Sequence, residues 1–115
     1  MHISERAVGN VMIVDVSGKI TLGDGGDAAL KDKMRSLIQQ GHKHLLLNLG
    51  EVTYVDSAGL GEIVQAYATV SKSGGALKLL NTTKRIKDLL ASTKLLTVFE
   101  CHDSEADAVK SFPAA

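Results

Sequence analysis

The sequence has little cysteine and no excess of charge of either sign. Its 115 residues include one cysteine, Cys101, which excludes an internal disulfide and fits a reducing compartment. Thirteen basic residues balance thirteen acidic ones. The chain therefore has no net field with which to hold nucleic acid or an anionic membrane surface, and we expect neither as a partner.

Long apolar runs are also missing from the sequence. The runs at residues 11–14 and 45–47 are far shorter than the roughly 20 residues that a membrane-spanning helix needs. The N-terminus lacks a basic region followed by an apolar stretch, which is the pattern of a secretory leader. We therefore expect a cytoplasmic protein that does not insert directly into a membrane.

The composition is that of an ordinary folded protein. Apolar residues make up 44% of the chain and charged residues 23%, which is far from the disordered and membrane classes. A length of 115 residues lies in the usual range of one compact domain. We expect a single domain over residues 1–115, with one core.

The first third of the chain predicts a hairpin and a helix. Strand-like segments at residues 3–8 and 11–16 flank the turn pair Gly9-Asn10, and Gly18 is expected to end the second strand. A helix follows the cap and breaker residues at 24–27 and ends at Gly41. Its apolar stripe consists of Leu30, Met34, Leu37 and Ile38.

The middle of the chain predicts a strand, a helix and a second strand. Residues 45–49 form a short apolar run typical of a strand buried on both faces, and residues 50–56 are expected to be a loop. A helix should follow and end at Gly74 and Gly75, before a buried strand at residues 76–80. The helical stripe consists of Leu60, Ile63, Val64, Tyr67 and Val70. Such a unit makes its two strands parallel.

The last third repeats this alternation on a smaller scale. A short helix is expected around residues 86–90, a strand at 97–101, and a final helix from Asp103 or Ser104 that stops before Pro113. The final helix should turn Ala106, Val109 and Phe112 toward the core. The total predicts an α/β fold, with a mixed sheet of four or five strands, about four helices and an N-terminal antiparallel hairpin.

The segment at residues 54–61 has an unusual composition for a joint between a strand and a helix. Gly59 and Gly61 fall inside the first helical turns, where each costs roughly 1 kcal/mol relative to alanine. Close approach by another backbone or by a partner is the usual reason for such glycines, and we interpret both as surface features. Open α/β sheets usually carry their function at such a joint.

Ser57 has two interpretations. It could be an ordinary N-cap whose hydroxyl accepts a bond from a free backbone N–H. Alternatively, it could be an exposed phosphoryl acceptor, because a phosphate at a helix N-terminus meets free amide donors and the positive end of the helix dipole. Asp56 beside it would oppose the added charge. From the residues alone both interpretations stay open.

The stretch LLLNLGEVTYVDSAGLG, from Leu45 through Gly61, resembles the signature of STAS domains. This family contains anti-sigma factor antagonists and the cytoplasmic domains of sulfate transporters. The hairpin, the segment VDVSGKITLGDG, the strand SGGALKLLN and the terminal helix follow the order of the family, so the resemblance covers the whole chain. It implies a STAS-like fold of the anti-sigma factor antagonist type.

The resemblance also implies a mechanism. An unphosphorylated antagonist binds an anti-sigma factor serine kinase and frees the sigma factor to regulate transcription, phosphorylation of Ser57 releases the kinase, and a phosphoserine phosphatase resets the switch. Ala58 stands where many members have a second serine or threonine, and Thr53 is a weaker candidate for a second regulatory site. The partner-binding residues implied are Asp56, Ser57, Ala58, Gly59, Leu60 and Gly61.

Other functions find less support in the sequence. A scaffold subunit of a stress-sensing or lipid transporter complex would use the same fold and is the alternative. His42, His44 and the pair Cys101-His102 lack the spacing of a metal site. Val55 stands where a nucleophile elbow needs glycine, and no Gly-Lys-Ser/Thr follows the glycines at 23–26. We expect no enzyme activity, no metal and no cofactor.

Overall fold

The chain alternates strands and helices from end to end. A computed structural model describes residues 1–113, so Ala114 and Ala115 of the predicted domain lie outside the described residues. The strands are β1 (His2–Val8), β2 (Val11–Ile20), β3 (His44–Val55), β4 (Ala76–Leu80) and β5 (Cys101–His102). The helices are α1 (Gly26–Gln39), α2 (Ser57–Lys72), α3 (Lys84–Ser92) and α4 (Glu105–Lys110).

The strands form one mixed sheet in the order β1-β2-β3-β4-β5. The pair β1 and β2 is antiparallel, and each later pair is parallel. This confirms the predicted α/β class, with five strands and four helices among residues 1–113 and an antiparallel hairpin at the start. Because β2, β3 and β4 are parallel, their carboxyl ends lie at one edge of the sheet.

The sheet is covered on both faces. Leu45, Leu47 and Leu49 of β3 point to the face that α1 and α2 cover, whereas Leu46 points to the face that α4 covers. All four leucines have no exposed surface. A strand buried on both faces has a continuous apolar sequence, which is why this run predicts its position well. In the part of the chain described, no helix is both long enough and apolar enough to cross a membrane.

Two predicted strand ends are wrong. Gly18 does not end β2, which continues to Ile20, and the predicted loop at residues 50–56 is mostly the second half of β3. The pairing of β2 with β3 shifts register twice, after Asp15 and after Gly18. A bulge moves later side chains out of strict alternation. The buried Val52 and Val55 are therefore three residues apart, which hides the strand from a period-two pattern.

Two predictions for the last third are also wrong. The expected strand at 97–101 is only the two-residue β5, and Phe99 lies in an irregular segment, packed edge-on against the ring of Tyr67. Of the residues predicted to face the core, Phe112 is buried and Val109 packs against the same cluster, but Ala106 is exposed and Ala108 takes its place. Ser104 caps this helix and accepts a hydrogen bond from the Asp107 amide, as expected for a start near residue 104.

Candidate functional site

The candidate site lies where the carboxyl ends of β2 and β3 meet the N-terminus of α2. Residues 21–25 form the loop that leaves β2, and Asp56 joins β3 to α2. Ser57 is the first residue of α2 and is exposed. This agrees with the place at a helix N-terminus that both interpretations of Ser57 require.

Asp56, and not Ser57, is the N-cap of α2. Its backbone is extended, with φ −94° and ψ −176°, and its Oδ1 accepts a hydrogen bond from the Gly59 amide at 2.8 Å. Its Oδ2 accepts a second bond, at 3.0 Å, from the amide of Leu22 in the β2–α1 loop. The bonds from Gly59 and then Leu22 lower the pKa of the Asp56 carboxyl. The interpretation of Ser57 as an ordinary N-cap is therefore wrong.

This arrangement leaves the Ser57 hydroxyl available for chemistry. Because Asp56 caps the helix, the hydroxyl has no capping role, and a group attached to it would project from the end of α2. A phosphoryl group there would carry a charge of about −2 near the positive end of the helix dipole. The carboxylate of Asp56 would oppose that charge.

Gly59 is an internal contact, which overturns its interpretation as a surface feature. The residue is buried, and a methyl group on its Cα would overlap the carbonyl oxygen of Ile20 in β2. The same methyl would come within 2.9 Å of the Ile20 Cγ2. Only glycine lets the first turn of α2 approach the end of β2 this closely. The sequence cannot tell such a contact from a partner's approach.

The other residues of the motif divide between surface and core. Gly61 is exposed, and a Cβ there would meet nothing within 4 Å, which agrees with a surface position. Ala58 is half-buried, whereas the side chain of Leu60 is only 8% exposed and packs into the core. Of the six predicted partner-binding residues, Ser57 and Gly61 are therefore the most accessible to another molecule.

The sequence interpretation missed two exposed apolar side chains at this edge. Leu22 is 69% exposed and Tyr54 is 43% exposed. The guanidinium of Arg85 lies 5.4 Å from the centre of the Tyr54 ring. Tyr54 and Arg85 line a surface depression, together with Lys19, Thr21, Asp24 and Thr53. The signal for Leu22 was its position, since it is a lone leucine in a glycine-rich loop outside every apolar stripe.

The residues considered for metal binding lie elsewhere, and two of the histidines are engaged in other contacts. His44 bonds Asn10 and packs 5.5 Å from the Phe112 ring, and His102 bonds Glu100. Burial raises the pKa of the Cys101 thiol. Within residues 1–113, no group of three or more histidine, cysteine, aspartate or glutamate side chains is arranged to hold a metal ion.

Comparison with known proteins connects this geometry to one family. A model of the STAS domain matches residues 2–108. The anti-sigma-B factor antagonist of Bacillus subtilis (strain 168) is 34% identical over 91 residues, which are 79% of this chain and 81% of that protein.

Solved structures share the fold. An anti-sigma factor antagonist from Mycobacterium paratuberculosis has a TM-score of 0.85 at 19% identity, over 96% of this chain and 92% of that chain. The Bacillus cell fate determinant SpoIIAA in its phosphorylated form has a TM-score of 0.76 at 16% identity, over 95% of this chain and 97% of that chain. At these identities the structural likeness bears on the fold alone.

Proposed function

Because the chain belongs to the STAS domain family, we propose that it is an anti-sigma factor antagonist whose binding is controlled by phosphorylation of Ser57. The observation that carries the proposal is an exposed hydroxyl on the first residue of α2, beside a helix cap that does not need it. The antagonist names of its relatives support the function, and one of them, SpoIIAA, has a structure in a phosphorylated form.

The unphosphorylated domain binds an anti-sigma factor serine kinase, which then releases its sigma factor. Phosphorylation adds charge and bulk on the exposed end of α2, where the kinase docks. Removing an unmatched charge from water costs several kcal/mol, which is enough to lower affinity by about a hundredfold or more. The folded domain itself needs little change, because the Ser57 hydroxyl does not cap the helix.

The rest of the switch follows from this mechanism. A phosphoserine phosphatase removes the phosphate and restores binding, and the domain contributes a surface and no catalysis of its own. All of these partners act in the cytoplasm, where we expect the protein to reside. Thr53 is exposed on β3 in the depression beside Tyr54, and it remains a candidate for a second regulatory phosphorylation.

The test is phosphorylation by the host's serine kinases in the presence of ATP. Intact mass should increase by one phosphate, and peptide mapping should assign it to Ser57. Ser57→Ala should abolish the modification, whereas Thr53→Ala is the matched control and should keep it. A single phosphate that remains on Ser57→Ala would contradict the assignment and, if it mapped to Thr53, would identify that residue as the main acceptor.

A further inference from the structure

We propose that Leu22 is the apolar anchor by which this domain docks on its kinase, and that Asp56 is the positioning residue that presents it. This inference rests on the proposed function and identifies the part of the surface that the partner must bury. It concerns a side chain outside the serine motif, in the loop between β2 and α1.

Leu22 is exposed to an extent that its own fold does not explain. Five large apolar side chains among the described residues are exposed, and Leu22, at 69%, exceeds the next, Tyr54, by 26 percentage points (69 − 43). Single exposed apolar residues are common, so the exposure of Leu22 gains meaning from its position beside the switch serine. Ser57 begins the helix at the same edge of the sheet.

Hydrogen bonds within the loop and to Asp56 tether the backbone that carries Leu22. The Leu22 amide donates to Asp56 Oδ2 at 3.0 Å, and the Leu22 carbonyl accepts from the Gly25 amide at 3.2 Å. Thr21 donates its hydroxyl proton to Asp24 at 3.1 Å. A leucine presented on an ordered turn loses less conformational freedom on binding than one on a free chain, so its burial contributes more to affinity.

Asp56 joins this loop to the serine. One carboxylate oxygen caps α2 through Gly59, and the other holds the amide of Leu22. Leu22 and Ser57 are therefore fixed relative to each other through a single side chain. The occupant we infer is the surface of the kinase that receives Ser57, with an apolar pocket for Leu22 next to it. Because Asp56 joins the loop of Leu22 to the helix of Ser57, we expect one partner to contact both residues.

The chain offers a matched control for the anchor. Leu96 is 42% exposed, but it lies in the segment that leads into the amino end of β5. The strands β2 to β5 are parallel, so this segment is at the opposite edge of the sheet from Ser57. Leu22→Ala and Leu96→Ala thus remove the same part of a leucine side chain, one at the edge that carries Ser57 and one at the opposite edge. Both variants should stay folded, which thermal denaturation checks.

The experiment is calorimetric titration of the host kinase that phosphorylates Ser57, used with a non-hydrolysable ATP analogue. Leu22→Ala should lower affinity about tenfold or more, as expected for an apolar hot spot, while Leu96→Ala should bind as wild type. Equal affinity of Leu22→Ala and wild type would overturn the anchor. An equal loss in both variants would also overturn it, because the effect would not depend on the edge.

Asp56→Asn tests the positioning role without removing the cap. Asparagine caps helices as well as aspartate, so its carbonyl oxygen can keep the bond from Gly59. Its amide group cannot accept from Leu22. The Leu22 amide should then exchange hydrogen faster while the Gly59 amide stays protected, and kinase affinity should fall severalfold. Unchanged exchange at Leu22 would contradict the tether.

A double-mutant cycle separates positioning from direct contact. If Asp56 acts through Leu22, Asp56→Asn should cost little further affinity in the Leu22→Ala background. Additive losses would mean that Asp56 contacts the kinase itself, and would overturn its role as a positioning residue. Titration of the kinase with Ser57→Asp tests the proposed function separately from the anchor. Weak binding by Ser57→Asp together with full binding by Leu22→Ala would reject the anchor alone.

Discussion

Replacing Gly59 by alanine should destabilise the protein although it lies in a helix. The added methyl would overlap the carbonyl oxygen of Ile20 and lie 3.0 Å from the carbonyl carbon. Both atoms are backbone, so no side-chain rotation relieves the contact, and α2 must move away from β2. That movement would also disturb the Asp56 cap, whose Oδ1 accepts from the Gly59 amide.

The magnitude follows from two opposing effects. Overpacking a tight contact costs about 1–3 kcal/mol, and a clash with backbone belongs at the upper end of that range. Alanine recovers about 1 kcal/mol of helix propensity relative to glycine. We expect a net loss of about 2 kcal/mol in the free energy of unfolding. In a domain of this size that corresponds to a melting temperature lower by roughly 8 °C.

Gly61→Ala is the matched control, because it lies two residues further along the same helix. A Cβ at Gly61 would meet nothing within 4 Å, so only the gain in helix propensity remains, up to about 1 kcal/mol of stabilisation. Urea denaturation of both variants measures the two effects directly. A Gly59→Ala variant as stable as wild type, or a Gly61→Ala variant equally destabilised, would refute the contact between α2 and β2.

Two further predictions concern acid stability and the packing of α4. Hydrogen bonds from His102 and then Lys78 lower the pKa of Glu100 from 4.5 to about 2, so the stability that Glu100 contributes is complete above pH 4.5 and is lost as pH falls to about 2. Because Glu100 is half exposed, Glu100→Gln should reduce this acid dependence by less than about 1 kcal/mol in urea titrations from pH 2 to 6. An unchanged pH profile would contradict the pairing. Phe112 is 5% exposed and packs against His44, so Phe112→Ala should lower the free energy of unfolding by about 3 kcal/mol. A loss under about 1 kcal/mol by denaturant titration would mean that α4 is not firmly packed.

The sequence predicts the fold well where the pattern has a single physical cause. A continuous apolar run at residues 45–47 indicates a strand buried on both faces, and helical stripes indicate α1 and α2. It fails where a bulge or an irregular segment changes the period. Val52 and Val55 are three residues apart in β3, and the buried Phe99 lies outside any strand. Neither arrangement leaves a regular pattern to detect.

The candidate site could be predicted only in part for a similar reason. The position of Ser57 near a helix N-terminus follows from local sequence, because the helical stripe begins at Leu60. The contact of Gly59 with Ile20 and the bond from Leu22 to Asp56 join residues 39 (59 − 20) and 34 positions apart. Such contacts depend on the pairing of β2 with β3. Reading one segment at a time cannot reveal them.

In the proposed switch, the charge state of Ser57 controls the binding of the kinase. Calorimetric titration of the kinase with wild type, Ser57→Ala and Ser57→Asp tests it most directly. Ser57→Ala should bind as tightly as unphosphorylated wild type and keep its stability within about 0.5 kcal/mol, because the hydroxyl does not cap the helix. Ser57→Asp should bind about a hundredfold more weakly. Equal affinities for all three proteins would contradict the switch and would favour a scaffold role for the domain.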